Sequence, residues 1–202
     1  FTMNGGVIGK VITKTDSSKP YSWQYAATDS DFSNYAYAGG GGIYVAGGDV
    51  TIDNATISYN YTPNPDENLY GENSTNLKIS HGGGISVVKG NLTINNAEVS
   101  YNSGYQGAGI RCYSASSVGT LTLNGATIKG NASRTQRFNN FGGGVVIKNF
   151  TLNCDTSTEA SIIEENYSGD GGALFLENTT STLQNITIQN NSYNENGYKN
   201  GS

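Results

Sequence analysis

Apolar and polar residues alternate along this chain in short bursts, and the bursts recur in a fixed order. From Gly40 the sequence reads GGGIYVAGGDVTIDNATISYN, and from Gly82 it reads GGGISVVKGNLTINNAEVSYN. Alternation with period two is the mark of a strand with one buried face. It places Ile43 and Val45, Ile85 and Val87, Ile110 and Cys112, Val145 and Ile147, and Leu174 and Leu176 on the inside. A second burst follows as VTI at Val50, LTI at Leu92, LTL at Leu121, FTL at Phe150, STL at Ser181 and FTM at Phe1. Its central residues Thr2, Thr51, Thr93, Thr122, Thr151 and Thr182 are expected to stack as an outward column. A third burst puts Ile57, Val99, Ile128, Ile163 and Ile188 in the core, each followed three residues later by Asn60, Asn102, Asn131, Asn166 and Asn191.

Glycine clusters introduce each round: GGG before Ile43, Ile85 and Val145, GAG before Ile110, and GGA before Leu174. The last glycine of each cluster falls at Gly42, Gly84, Gly109, Gly144 and Gly172, so the period is too irregular for a helical repeat. A parallel β-helix accepts such variation, because each coil is a minimal set of strands into which loops can be inserted at a corner. The expected fold is therefore all-β, a right-handed parallel β-helix of about five coils plus a partial N-terminal coil, in one domain over residues 1–202. Glycine serves the corner where φ is positive or where a Cβ would crowd the next coil. The five asparagines are expected to form a structural ladder, hydrogen-bonding from coil to coil at a spacing of about 4.8 Å and tolerating a left-handed turn.

The run Gly171-Gly172-Ala173-Leu174 and the recurring Ile-x-x-Asn resemble the GGA[ILV] and FxxN repeats of chlamydial-type polymorphic outer membrane proteins. They are also similar to repeats of adhesin-like bacterial β-helix proteins of the autotransporter-passenger type. The resemblance covers about residues 39–191 and implies an extracellular or cell-surface, adhesin-like module cut from a longer bacterial protein.

Composition narrows the partners. With 35% hydrophobic residues the chain has material for a core, while 13% charged residues and a net charge of -5 leave no clustered cationic footprint for nucleic acid. No apolar run reaches the roughly 18 residues of a membrane span, and no signal-peptide pattern opens the sequence. The two cysteines, Cys112 in a core-facing strand and Cys154 in a turn, are read as free thiols.

The variable lengths are expected at one corner, between the ladder asparagine and the next glycine cluster, with long loop insertions at 12–38 and 61–80. These loops are aromatic. Tyr21, Trp23 and Tyr25 in the first, and Tyr61 and Tyr70 in the second, are the candidate ligand-binding residues, because Tyr and Trp present flat apolar faces with a polar handle to a sugar ring or a protein. Packing of the loops against the helix flank is the competing role for the same rings. Glycan or host-matrix protein are the expected partners, and oligomeric state is open.

Catalytic chemistry is weakly signalled, and no catalytic residue is assigned. Arg111 is expected to face outward in the column Tyr44, Ser86, Arg111, Val146, Phe175, without a second basic residue beside it. His81, the only histidine, sits at the end of a long loop and is expected to be structural or exposed. Glu164 is expected to pair with Lys129 of the preceding coil rather than to work with Glu165 as a glycosidase pair. No cofactor or zinc-type metal site is expected, while Asp66, Glu67 and Glu72 are a candidate calcium cluster. The threonine column raises ice binding, which the broken row Thr56, Glu98, Thr127, Ile162, Thr187 argues against. The alternative function is a polysaccharide lyase or glycoside hydrolase built on the same scaffold.

Overall fold

The computed structural model describes residues 1–9, 34–36, 39–62, 81–115, 119–133, 141–154 and 159–193. Every strand pair in it is parallel, and the strands fall into four sheets that form the walls of a parallel β-helix. The threonine wall stacks Thr2–Asn4, Val50–Asp53, Leu92–Asn95, Gly119–Asn124, Phe150–Cys154 and Ser181–Leu183. The isoleucine wall stacks Val7–Gly9, Thr56–Ser58, Glu98–Ser100, Thr127–Lys129, Ser161–Glu164 and Ile186–Gln189. The glycine wall stacks Ile43–Val45, Ile85–Val87, Ile110–Tyr113, Val145–Lys148 and Leu174–Glu177. Five complete coils, each opened by a glycine corner, thus follow a partial leading coil, as the spacing of the clusters predicts. No helix in the described residues is long and apolar enough to cross a membrane.

A fourth, narrow wall was not foreseen. It is made of the two-residue strands Asn34–Tyr35, Asn60–Tyr61, Ser103–Gly104, Ala132–Ser133, Tyr167–Ser168 and Ser192–Tyr193. Two residues are too few to show a period in sequence, and the positions read as the start of a loop are a strand instead. Residues 34–36 therefore lie in the stack, and the interval 10–33 separates the isoleucine wall from the narrow wall. The intervals 63–80 and 134–140, by contrast, come after the narrow wall.

The core is the inside of the tube. Ile52, Ile94, Leu123, Ile57, Val99, Ile128, Ile163, Ile85, Ile110 and Ile147 are fully buried, and Phe150 closes the set at 2% exposure. Burying one such side chain stabilises the fold by about 1.5–3 kcal/mol. Leu176, Leu183 and Ile188 keep their inward parity but are exposed, because among the described residues no coil stacks on the last one. Leu176 and Ile188 are thus not core residues as expected.

The threonine column is also corrected. Thr122 pairs with Asn153, and Thr151 pairs with Thr120, so the column runs Thr2, Thr51, Thr93, Thr122, Asn153, Thr182. The sequence alignment of FTL was two residues out of register. Such a slip leaves every side chain on its own face, and it lets the Phe150 ring occupy the space over Gly119, where a Cβ would stand 2.3 Å from the ring. Cys154 likewise lies in a strand, not a turn. Both thiols are free and buried, and burial pushes Cys112 up to about 12 and Cys154 up to about 11.

The asparagine ladder is present and longer than expected. Nδ2 of Asn60, Asn102, Asn131 and Asn166 each donates to Oδ1 of the next asparagine at 2.9–3.0 Å, ending at Asn191. Asn34 adds a leading rung at 2.7 Å to Asn60. From Asn60 onward each amide also donates back to a carbonyl of the preceding coil, as Asn131 does to Val99 at 2.8 Å, and Oδ1 of Asn102, Asn131, Asn166 and Asn191 accepts the backbone N–H of the preceding rung. The left-handed residue is the one before each ladder asparagine: Tyr59, Tyr101, Gly130, Glu165 and Asn190 have φ near +55°.

This ladder explains the glycine clusters. The first glycine of each corner, such as Gly82, has φ near +60°. The third lies against the ladder: a Cβ on Gly84 would meet Asn102 Nδ2 at 2.8 Å, and one on Gly109 would meet Asn131 Nδ2 at 2.9 Å. Glycine corner and asparagine are two halves of one joint.

Candidate functional site

The inward columns are nearly uniform, whereas the outward column of the glycine wall is not. Its register is Tyr44, Ser86, Arg111, Val146, Phe175, as the alternation predicts. Its exposure is not as predicted. Tyr44 is 56% exposed, but Ser86, Arg111 and Val146 are buried, Arg111 at 6%. Arg111, expected to be solvated or in contact with a loop, is covered.

The cover comes from residues that precede the glycine corners. Gly39 bridges His81, His81 bridges Gln106, and Phe141 bridges Asp170, all in parallel, and the Gly107 N–H donates to the Phe141 carbonyl at 3.0 Å. These residues form a strip along the edge of the glycine wall. The corner backbone then folds over the outward column, since a Cβ on Gly107 would stand 2.8 Å from Arg111 Cβ and one on Gly142 would stand 2.4 Å from Val146 Cγ2. Phe141 stacks on Phe175 of the next coil at 4.4 Å between ring centroids. By the same offset His81 faces Arg111.

The arginine's charge is balanced by no carboxylate among the described residues. Its guanidinium carbon lies 4.0 Å from the centroid of the Tyr113 ring, a cation–π contact of about 1–2 kcal/mol when desolvated. The His81 imidazole lies nearly parallel to that ring, 6.5 Å away at 9°. Burial holds His81 down to about 3, with the positive charge of Arg111 adding to the effect, so the imidazole is neutral at pH 7. Burial also lowers Arg111, to about 10, against the pull of Tyr113, Cys112 and Tyr44. The guanidinium therefore stays charged. Lys148 comes within 4.9 Å of the Tyr113 ring and is paired to Glu177 at 2.7 Å. Arg111 and Lys148 thus share the Tyr113 ring, and His81 is half-buried and stacked on that ring.

Two polar atoms in this cluster are left without partners: Arg111 Nε and His81 Nδ1 are both buried and make no hydrogen bond. Such orphaned groups are costly and rare in native interiors.

Of the candidate ligand-binding aromatics, Tyr61 lies in the narrow wall and is 9% exposed, so it is wall more than platform. Tyr21, Trp23, Tyr25 and Tyr70 lie outside the described residues, as do Asp66, Glu67 and Glu72. Among the described residues, no three His, Cys, Asp or Glu side chains are grouped to hold a metal ion. A second aromatic surface was missed: Tyr59 and Tyr101 stack at 5.6 Å and 20°, and Gly130 makes room for the Tyr101 ring, which a Cβ there would meet at 2.7 Å. The recurring Ser-Tyr-Asn at residues 58–60 and 100–102 was the available signal. Glu164 takes the expected partner, Lys129 at 3.0 Å, and Lys129 also reaches Glu165 at 3.5 Å. The residue ahead of each glycine cluster could have revealed the strip, since its offset is fixed.

No protein-family model matches the chain, and no curated protein or solved structure matches it.

Proposed function

We propose that this chain is a non-catalytic recognition module, an adhesin-like segment of an extracellular or cell-surface bacterial protein whose partner is a glycan or a host protein. One observation carries the reading. The inward columns and the asparagine ladder repeat the same residue types coil after coil, whereas the outward column Tyr44, Ser86, Arg111, Val146, Phe175 repeats nothing. Architecture restrains the inside of a solenoid, and the outside is where such scaffolds carry recognition. The half-exposed Tyr44 ring and the Tyr59–Tyr101 stack supply the aromatic faces that sugar rings and protein partners favour. The resemblance to polymorphic outer membrane proteins supports the same assignment.

The test is a glycan and matrix-protein array probed with the full chain, followed by titration of whatever binds. Replacing Trp23 and Tyr25 with alanine is expected to weaken that binding at least several-fold with an unchanged thermal midpoint. Undiminished binding removes the two aromatic residues from the site. A chain that binds nothing on the array but releases unsaturated product from a uronate polysaccharide, read as rising ultraviolet absorbance, replaces this reading with the lyase.

A further inference from the structure

We propose that Asn54 and Asn178 are acceptor sites for N-linked glycosylation, each presented at an outer corner of the tube together with the threonine two residues on. The inference goes beyond the recognition-module reading and does not depend on it, since a chain that binds no glycan can still carry one.

The triplet Asn-x-Ser/Thr recurs along the chain. A glycosyltransferase reads the amide and the hydroxyl two residues later together, and it needs both at the surface. The structure sorts the triplets by that requirement. In Asn60-Tyr61-Thr62, Asn131-Ala132-Ser133 and Asn166-Tyr167-Ser168 the asparagine is a ladder rung, fully buried, with its Nδ2 shared between a carbonyl and the next rung. The hydroxyl residues of these triplets are buried as well, at 1% exposure or less, and Ser133 and Ser168 donate to the Tyr105 and Asp170 carbonyls. Other amides are engaged nearer the surface. Asn91 donates to Asp49 and accepts the Thr120 N–H, and Asn149 donates to the Ser114 carbonyl. Asn185 and Asn190 each have an interaction partner.

Asn54-Ala55-Thr56 and Asn178-Thr179-Thr180 are open. Both asparagines are exposed, and among the described residues neither side-chain amide has a partner. The same holds for the hydroxyls of Thr56, which is half-buried, and Thr180, which is exposed. Asn54 turns the chain from the threonine wall into the isoleucine wall, and Asn178 turns it from the glycine wall into the threonine wall, both at a φ of 50°. An exposed side chain at a corner carries a substituent away from the tube without crossing either wall. There is room beside it: Gly5 is the neighbour of Asn54 on the leading coil, and a Cβ there would meet nothing closer than the Asn54 carbonyl oxygen at 4.0 Å. The neighbour of Asn178 is Asn149, whose own amide is turned to Ser114.

The transfer joins Nδ2 to the anomeric carbon of a glycosyl phosphate. The bond from that carbon to the phosphate oxygen breaks, the phosphate leaves with the electron pair, and one Nδ2 proton passes to a base of the transferase. At Asn54 and Asn178 the hydrogen replaced bonds nothing in the described protein, so the fold gives up no contact. At Asn131 it is a hydrogen bond to Val99 or to Asn166.

The experiment incubates the folded full chain with a soluble asparagine-directed glycosyltransferase and UDP-glucose, and maps hexose by peptide mass spectrometry. Occupancy at Asn54 and Asn178 is expected to exceed that at Asn60, Asn131 and Asn166 by about tenfold or more, because the ladder must open before its amides can react. A proteolytic digest of the chain given to the same enzyme is expected to erase the contrast. Thr56→Val and Thr180→Val are each expected to abolish transfer at the asparagine two residues earlier and to leave the other site unchanged, while Thr56→Ser retains it. Equal occupancy of corner and ladder asparagines in the folded chain overturns the proposal. So does transfer to neither corner asparagine, or corner occupancy that survives loss of its threonine. The site map is read on the unsubstituted chain, so a folding defect in a variant cannot mask the answer. No ligand enters this assay, so its failure leaves the recognition module standing, and a blank binding array leaves the acceptor sites standing.

Discussion

Asn131 is the middle of the ladder and is fully buried. Its Nδ2 donates to the Val99 carbonyl at 2.8 Å and to Asn166 Oδ1 at 3.0 Å, and its Oδ1 accepts the backbone N–H and the Nδ2 of Asn102, each at 3.0 Å. Asn131→Ala removes all four bonds at once. Asn166 Oδ1 keeps the Asn131 backbone N–H, and Asn102 Nδ2 keeps the Ile57 carbonyl, so two of the partners remain half satisfied. The Asn102 N–H and the Val99 carbonyl each lose a buried partner. At about 1 kcal/mol net for each bond, with about 1–3 kcal/mol for a buried group left unpaired, the expected loss is about 3–6 kcal/mol. That is a large share of the roughly 5–15 kcal/mol by which domains of this kind are stable.

The comparison that makes this decisive is Asn191→Ala. Asn191 accepts the same two bonds from Asn166 and donates to the Ile163 and Gln189 carbonyls, but it is only partly buried, and water can replace what is lost. About 1 kcal/mol is expected there. Urea unfolding followed by far-ultraviolet circular dichroism gives both values, with the midpoints compared directly because a solenoid can unravel from one end. If N131A costs less than about 1 kcal/mol, or no more than N191A, the ladder is a passenger on the hydrophobic stack and the account of the glycine corners falls with it.

Two further outcomes follow from the same geometry. Gly109→Ala puts a Cβ 2.6 Å from the Gly144 carbonyl oxygen and 2.9 Å from Asn131 Nδ2, so it is expected to lower the thermal midpoint by many degrees, while Gly47→Ala, with nothing within 4 Å, is expected to stay within about 0.5 kcal/mol of the parent. Glu164 is held below the ordinary carboxylate range, first by the Gln189 amide and then by Lys129, with partial burial opposing them. A carboxyl lowered on folding adds stability that is complete above its unfolded pKa and is lost as pH falls through the folded value. Melting temperature is therefore expected to fall below about pH 4, and Gln189→Leu is expected to flatten that acid limb. An acid limb unchanged in Q189L removes Gln189 from the effect.

What the sequence makes legible here is parity. Alternation assigns Ile85 and Val87 inward and Ser86 outward whatever their neighbours do, and the structure agrees at those positions. Register is less secure, because a shift of two residues preserves parity. That is how Thr151 was set beside Thr122 when Asn153 belongs there. The narrow wall lay below the resolution of any pattern, its strands being two residues long. The left-handed corner was assigned to the asparagines because asparagine tolerates it, yet the chain places it one residue earlier, on two tyrosines among others, so that the amide is free to join the ladder. The burial of Arg111 was not legible at all. Part of the cover is His81, which precedes the glycine corner of the preceding coil, and part is the Gly107 corner closing over the Arg111 Cβ, contacts created by the winding and by nothing in the local sequence.

The joint between glycine corner and asparagine has a consequence for recognition. Each coil is clamped to the next at a spacing set by amide hydrogen bonds of 2.9–3.0 Å, and at Gly42, Gly84, Gly109 and Gly144 a Cβ would press on the ladder amide. The outward residues of the glycine wall leave this joint within a few residues, so Tyr44, Ser86 and Arg111 inherit its spacing and have little freedom to drift apart. A partner that rested on the exposed Tyr44 ring would meet a group already held in place by this joint. It gives up less ordering entropy on binding than one engaging mobile side chains. Rigidity of the ladder and spacing of the outward column are then coupled: loosening Asn102, which joins the coils bearing Tyr44 and Arg111, should loosen the outward column before it unfolds the chain.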